Sequence, residues 1–203
     1  MATRQLRKIS IDYIDKSITY DGAQILPLWA FEKLGIQGDS IVIFCGRMEV
    51  RREKLIDAKD AREAEKRGEE VPISSKNALH FITEHFDSND IKLAYHRQRL
   101  LAVIAGEEIA KQTKAKIERR GSDLYIARRK LSVSIAACCS ASSKIHLGIN
   151  ITSKGVPKGV NAISLEELGI TKNRIKKLAL EIARKYSDEL NEIEEDITKT
   201  RGI

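Results

Sequence analysis

Residues 119–152 read RRGSDLYIARRKLSVSIAACCSASSKIHLGINIT, and this stretch decides the fold. From Leu131 the chain runs Leu-Ser-Val-Ser-Ile-Ala, and from Ile145 it runs Ile-His-Leu-Gly-Ile-Asn-Ile. Both runs alternate apolar and polar residues with period two, the pattern of a half-buried strand. On that parity the odd-numbered side chains pack beneath helices. The even-numbered ones (Lys130, Ser132 and Ser134, then His146, Gly148 and Asn150) share the opposite face. That face is small and polar, with one cation at its edge, where a plain solvent face would carry Lys, Glu and Thr. A glycine inside a strand often marks close approach by a ligand or another backbone.

Around these two strands the same stretch predicts more sheet. Residues 138–143 read as a loop or wide hairpin connection. Gly121-Ser122-Asp123 reads as a tight turn between strands at 116–120 and 124–127. Four consecutive strands then make an antiparallel meander.

Upstream, KISIDYI and KSITY flank Asp15-Lys16 and predict an N-terminal hairpin within residues 6–20. Residues 23–34 predict a helix, with Pro27 placing its start near Leu26 and Gly35 ending it. SIVIFC at 40–45 is a continuous apolar run suited to a strand buried on both faces. Residues 46–72 are dominated by charge and predict an exposed excursion, partly helical over 57–67. His80 and His85 follow, five residues apart, a spacing that shares neither a helix face nor a strand face. A metal site is not expected there; hydrogen-bonded structural histidines are.

Residues 90–113 form the clearest internal helix. Ile91, Ala94, Leu101, Ile104, Ala105 and Ile109 mark one face, and Arg97, Gln98, Glu107 and Glu108 lie off it. Ser164-Leu165-Glu166-Glu167 has the form of a capping box for a short helix stopped by Gly169. Thr171 caps a last helix whose stripe of Ile175, Leu178, Ile182, Tyr186, Leu190, Ile193 and Ile197 lies across the sheet or against a partner chain, a homo-oligomer included. The prediction is one α+β domain over 1–203, with a largely antiparallel central sheet flanked by helices.

A chain of 203 residues can bury one sizeable core. Its formal charge of +7 favours anionic partners, such as RNA or a small anionic or acyl ligand. Charged residues make up 32% of it, which leans towards a thermophilic source. The three cysteines (Cys45, Cys138 and Cys139) include no Cys-x-x-Cys pair and suggest neither a zinc site nor a disulfide framework. No apolar run is long enough for a membrane span and no signal peptide is visible, so a reducing cytoplasm is the expected compartment.

Seven motifs together resemble an archaeal family of unknown function. They are YDGAQILPLWA, GDSIVIF, LHFITEHFD, QRLL, RRGSDLYI, KLSVSIA and IHLGINI, and the resemblance runs from about Ile9 to Ile170. More distantly, the order of elements is similar to the catalytic domain of biotin and lipoate protein ligases, which is related to class II aminoacyl-tRNA synthetases. Ser122-Asp123 falls where lipoate ligases carry Asn-Asp, residues 129–133 fall on their lysine strand, and residues 145–148 fall on their His-Gly strand. That resemblance implies that Lys130 contacts an acyl-adenylate; it leaves the cofactor open, with ATP or such an adenylate as the candidates. Two departures weigh against adenylation. Arg51-Arg52 is followed by no glycine run, and Val133 stands where the family's lysine motif has glycine.

The residues leave two functional readings. One is a ligase or acyltransferase with Lys130 catalytic and Ser132, Ser134, His146, Gly148, Asn150, Asp123 and Arg120 around a ligand. An acyl transfer through Cys138 or Cys139 is a minor variant of it. The other is a non-catalytic module on the same scaffold for RNA or a protein partner. Arg119-Arg120 and Arg128-Arg129 suit phosphate, although aromatics at 5% offer no stacking platform for single strands. No Gly-x-Ser-x-Gly elbow accompanies Ser132 or Ser134, which argues against a serine nucleophile.

Overall fold

A computed structural model describes residues 9–201. Its elements, in chain order, are β1 (Ser10–Ile14), α1 (Trp29–Leu34), β2 (Ser40–Val50), α2 (Ala58–Lys66), β3 (Ile73–His85), α3 (Ile91–Thr113), β4 (Glu118–Arg120), β5 (Asp123–Ile126), β6 (Arg129–Lys130), β7 (Ser132–Cys138), β8 (Ser143–Asn150) and α4 (Lys172–Lys199). The main sheet has the order β1-β2-β3-β8-β7, and β4-β5-β6 form a second, small sheet. Every pairing in the main sheet is antiparallel except β1 with β2. The architecture is the α+β one the sequence predicts.

The two faces of the main sheet bury different things. Ile41, Ile43, Leu79, Phe81, Ile145, Leu147 and Ile149 face α3 and α4, where Leu101, Ile104, Ile109, Leu178, Ile182 and Tyr186 meet them. Period two in the strands and three-four spacing in the helices produce this layer directly. The other face carries Val42, Phe44, Met48, Val50 and Ile82 under Tyr20, Trp29 and Ala30. The buried strand read at 40–45 is confirmed and runs on to Val50.

Several expectations are corrected. No N-terminal hairpin forms: β1 lies parallel to β2, and Tyr20 makes a further parallel bridge to Met48, so both halves of the segment follow the same edge. Residues 6–8 of that expected hairpin lie outside the described residues. The helix at 23–34 is reduced to a 3-10 turn over Ala23–Ile25 and α1, because the chain around Pro27 leaves helical geometry and Leu28 takes a left-handed φ of 62°. The meander divides in two. Ala127 and Arg128, with φ of 48° and 66°, turn β5 tightly into β6, and the chain enters the main sheet only at Ser132. Residues 164–169 form a turn, with the Ser164 hydroxyl and carbonyl accepting the Glu167 and Leu168 N–H groups.

α3 is as read, with Asp90 as its N-cap, but Ile91 is exposed, while Arg97, Gln98 and Glu108 are buried. Arg97 is held by two hydrogen bonds to Asp87, and Gln98 reaches the Ser134 hydroxyl. The α4 stripe is buried through Tyr186, and Ile193 and Ile197 remain exposed beyond the sheet. No helix among the described residues is long and apolar enough to cross a membrane.

Candidate functional site

On the face away from α3 and α4, the strands enclose a cavity of about 240 Å³. Strand residues Met48, Val50, Val133, Ile135, His146 and Asn150 line it, together with Tyr20 and Ile25 from the first connection, Leu55, Ile56, Asp57 and Asp60 at and before α2, and Val156 and Val160 from the loop before α4. The charged excursion is therefore only partly a solvated face. Its helix was expected, but Leu55, Ile56, Asp57 and Asp60 line this cavity, Ile56 and Asp60 while still exposed to solvent.

Lys130 and Asp123 both line the cavity, and their Nζ and Oδ2 atoms lie 2.7 Å apart. Burial works against the Lys130 charge, but Asp123, with Tyr125 and Asp60, outweighs it and holds the ammonium above its ordinary range. Asp60 is pushed up, by burial first and by Asp57 next. The lining cations Lys54, Arg67 and Lys130 are matched in number by the lining carboxylates Asp57, Asp60 and Asp123. Each cation also has an acidic partner: Asp21 for Lys54, Glu63 and Glu69 for Arg67, and Asp123 for Lys130. The cavity is close to charge-neutral and mostly aliphatic.

His146 lies at the cavity wall, 2% exposed. Its Nε2 is 3.0 Å from His80 Nδ1, and His80 Nε2 is 3.3 Å from the Gly46 carbonyl oxygen. Tyr20 stacks on the His146 ring with centroids 3.7 Å apart. Burial lowers the His80 pKa to about 4, and burial followed by His80 itself lowers that of His146. His80 is a hydrogen-bonded structural histidine, as its sequence context suggested, and so is His85, between Asp39 and Tyr186. Gly148 has a different role from the one expected. A Cβ there would sit 3.1 Å from His146 Cε1 and 3.2 Å from His146 Nε2, so the missing side chain makes room for the neighbouring imidazole. Asn150 borders the cavity, and its amide donates to the Lys130 and Ile163 carbonyls.

The two serines are a correction. Val133 pairs with Gly148 and Ile135 with His146, and opposed residues share a face. Ser132 and Ser134 therefore turn towards the helices. Ser132 accepts the Leu124 N–H, and Ser134 accepts from Gln98 and donates to the His146 carbonyl. Ser134 borders the cavity, but its hydroxyl is already committed. Arg120 is not brought to the cavity either. It is exposed on β4, next to Glu118 and over the Tyr125 ring. Tyr20, Met48, Asp60, Leu55 and Ile56 were not foreseen; two apolar residues embedded in a charged run were the available signal for the last pair.

A family described as Domain of unknown function (DUF366) matches residues 9–201. An uncharacterised protein of Methanocaldococcus jannaschii is 46% identical over 192 residues, 95% of this chain and 84% of that protein. A solved protein of unknown function from Pyrococcus horikoshi superposes with a TM-score of 0.84 at 35% identity, covering 97% of this chain and all of that one. A biotin protein ligase from Aquifex aeolicus in complex with biotin superposes with a TM-score of 0.62 at 14% identity, over 92% of this chain and 72% of that one. The expected resemblance to biotin and lipoate protein ligases is thus present in the fold.

Proposed function

The chain belongs to the family described as Domain of unknown function (DUF366), and on that premise we propose that its cavity binds a small acyl-type molecule, with a compact apolar body and one carboxyl or carboxyl-derived end. The observation that carries this reading is the Lys130–Asp123 ion pair set beside the aliphatic strand residues Met48, Val50, Val133 and Ile135 of the cavity. A volume of about 240 Å³ is small beside the roughly 300–1,000 Å³ of pockets for drug-sized ligands. Aliphatic walls favour a hydrocarbon or heterocyclic body. Lys130 supplies the point charge for a carboxylate or acyl oxygen, and Asp123 keeps the ammonium charged and aimed.

Charge matching argues against a triphosphate as the resident ligand. A polyanion needs surplus cations, and here every lining cation already has an acidic partner. Where lipoate ligases carry a glycine-rich loop, this chain places the end of β2, a short 3-10 turn and α2. Binding of the acyl group therefore has more support than its adenylation. The biotin in the Aquifex aeolicus complex suggests a first ligand to try.

A thermal-shift panel tests the reading. It contains biotin, lipoate, octanoate, the corresponding acyl-adenylate analogues, ATP and a short RNA, with Lys130→Ala alongside. A ligand at 100 times its Kd adds about 2.7 kcal/mol, or roughly 5–11 °C for a domain of this size. The expected result is a shift with a free acyl acid that is lost in Lys130→Ala, and none with ATP alone. A Lys130-dependent shift with ATP or an adenylate moves the reading to acyl activation. A shift with RNA only overturns it in favour of a nucleic-acid module.

A further inference from the structure

The two cavity-side histidines form a chain whose polarity is set at one end. The Gly46 carbonyl can only accept, so His80 Nε2 must carry the hydrogen. His80 has only one hydrogen when neutral, which leaves its Nδ1 bare. His146 Nε2, 3.0 Å away, must then be the donor. His146, neutral in its turn, has its single hydrogen on Nε2 and a lone pair on Nδ1. Burial keeps both rings neutral, because it disfavours the imidazolium of each.

The direction of that lone pair follows from the sheet. The two nitrogens of an imidazole point away from each other. Nε2 points to His80 on β3, so Nδ1 faces the other neighbour of β8, which is β7. There, Ile135 and Val133 line the cavity opposite His146 and Gly148. The ring cannot readily swing out of this pose. Gly148 lies beneath it, and Tyr20 covers it at 3.7 Å. No hydrogen bond from a described residue reaches this nitrogen.

We infer that His146 Nδ1 is a fixed hydrogen-bond acceptor in the cavity wall, and that the ligand carries an N–H or O–H donor there, of the amide, ureido or hydroxyl type. This inference rests on the cavity being a ligand site. It adds a second polar requirement to the carboxyl end at Lys130. Plain straight-chain fatty acids lack such a donor on their body, so the inference separates two kinds of acyl ligand that Lys130 alone does not.

Ring-nitrogen NMR of the full-length, isotope-labelled protein tests the tautomer directly. Titration with ethyleneurea and with its N,N′-dimethyl derivative tests the ligand class. The expected spectrum shows both histidines as Nε2–H tautomers at neutral pH. Ethyleneurea should shift the His146 Nδ1 resonance, and the dimethyl compound should bind at least about fivefold more weakly, because it leaves the acceptor unpaired. His80→Phe, which removes the acceptor for His146 Nε2, should erase the preference between the two compounds. If that variant does not fold, the wild-type spectrum alone decides. A hydrogen found on His146 Nδ1 overturns the inference whatever else binds. Equal binding of the two compounds also overturns it and leaves the cavity reading standing. If neither urea nor any acyl compound binds in the cavity, both readings fall together.

Discussion

Lys144 Nζ lies 2.9 Å from Glu84 Oε2, and each side chain is only 2% exposed. The two residues are cross-strand partners on β8 and β3. The other Glu84 oxygen accepts the Leu28 N–H at 3.0 Å and the Ser142 hydroxyl at 2.8 Å. One carboxylate thus joins the chain entering α1, the β7–β8 turn and the sheet. A buried pair of this kind adds little over an apolar replacement, but breaking it leaves a charge with no partner. Lys144→Met should cost about 3–5 kcal/mol, which lowers Tm by roughly 6–20 °C. The double change Glu84→Gln with Lys144→Met should be less damaging than Lys144→Met alone. Thermal unfolding of the three variants checks this, and a Lys144→Met variant within about 1 kcal/mol of wild type sinks it.

Acid should weaken the fold well before carboxylates titrate. His80 has a folded pKa of about 4, and the unfolded imidazole titrates near 6.5. The unfolded chain takes up the proton first, so stability is complete above about pH 6.5 and is lost as pH falls towards 4. From His80 alone the loss between about pH 7 and about pH 5 is about 2 kcal/mol. His146 and His85 are lowered in the same direction, chiefly by burial, and add to it. Urea titrations at the two pH values measure the difference. A midpoint that does not move between them refutes neutral burial of the pair.

The fold was legible because its long elements announce themselves. The alternation at 145–151, the apolar run at 40–45 and the period of α3 and α4 each match one element. The site was legible only in part, and the reason is register. Parity within a strand shows which residues share a face, but it does not show how that face matches the next strand. In the β7–β8 pair every even-numbered residue opposes an odd-numbered one, so His146 and Gly148 sit beside Ile135 and Val133 rather than beside the serines. The turn at 139–142 sets that offset, and its composition does not reveal its length. Tyr20 and Asp60 were out of reach for another reason. Tyr20 meets the cavity from a connection and Asp60 from α2 within the charged run, and in neither does the sequence pattern report which residue packs there.

Two glycines should respond very differently to alanine. A Cβ on Gly46 would stand 2.0 Å from the Ile18 carbonyl oxygen, which is backbone running along the edge of β2 and has nowhere to go. Gly46→Ala should cost at least about 3 kcal/mol, the upper end for overpacking. A Cβ on Gly148 would crowd the His146 imidazole, at 3.1 Å and 3.2 Å, and touch Met48 Sδ at an ordinary 3.5 Å, side chains rather than backbone. Gly148→Ala should cost about 1–3 kcal/mol and should also change the His146 ring resonances, because the ring must lift from the strand. Equal losses in the two variants would contradict the packing described.

The three thiols should label in a definite order. Burial pushes the Cys45 thiol up, and burial followed by Asp90 does the same for Cys138. At Cys139 burial acts in that direction too, but hydrogen bonds from the β7–β8 turn outweigh it and hold the thiol below its ordinary range. Ser142 N–H donates to the Cys139 sulfur at 3.3 Å, and the Ser142 hydroxyl oxygen lies 3.4 Å from it. The Ser142 hydroxyl and the backbone N–H groups of Ala141 and Ser142 favour the thiolate over the thiol. The thiolate is the reactive form, and its share at neutral pH follows the pKa. Brief iodoacetamide treatment of the native protein, read by peptide mass spectrometry, should therefore modify Cys139 before Cys138 and Cys45. Ser142→Ala should narrow the gap by altering the turn that holds the sulfur. If Cys138 reacts first, exposure rather than the turn's hydrogen bonds governs thiol reactivity in this protein.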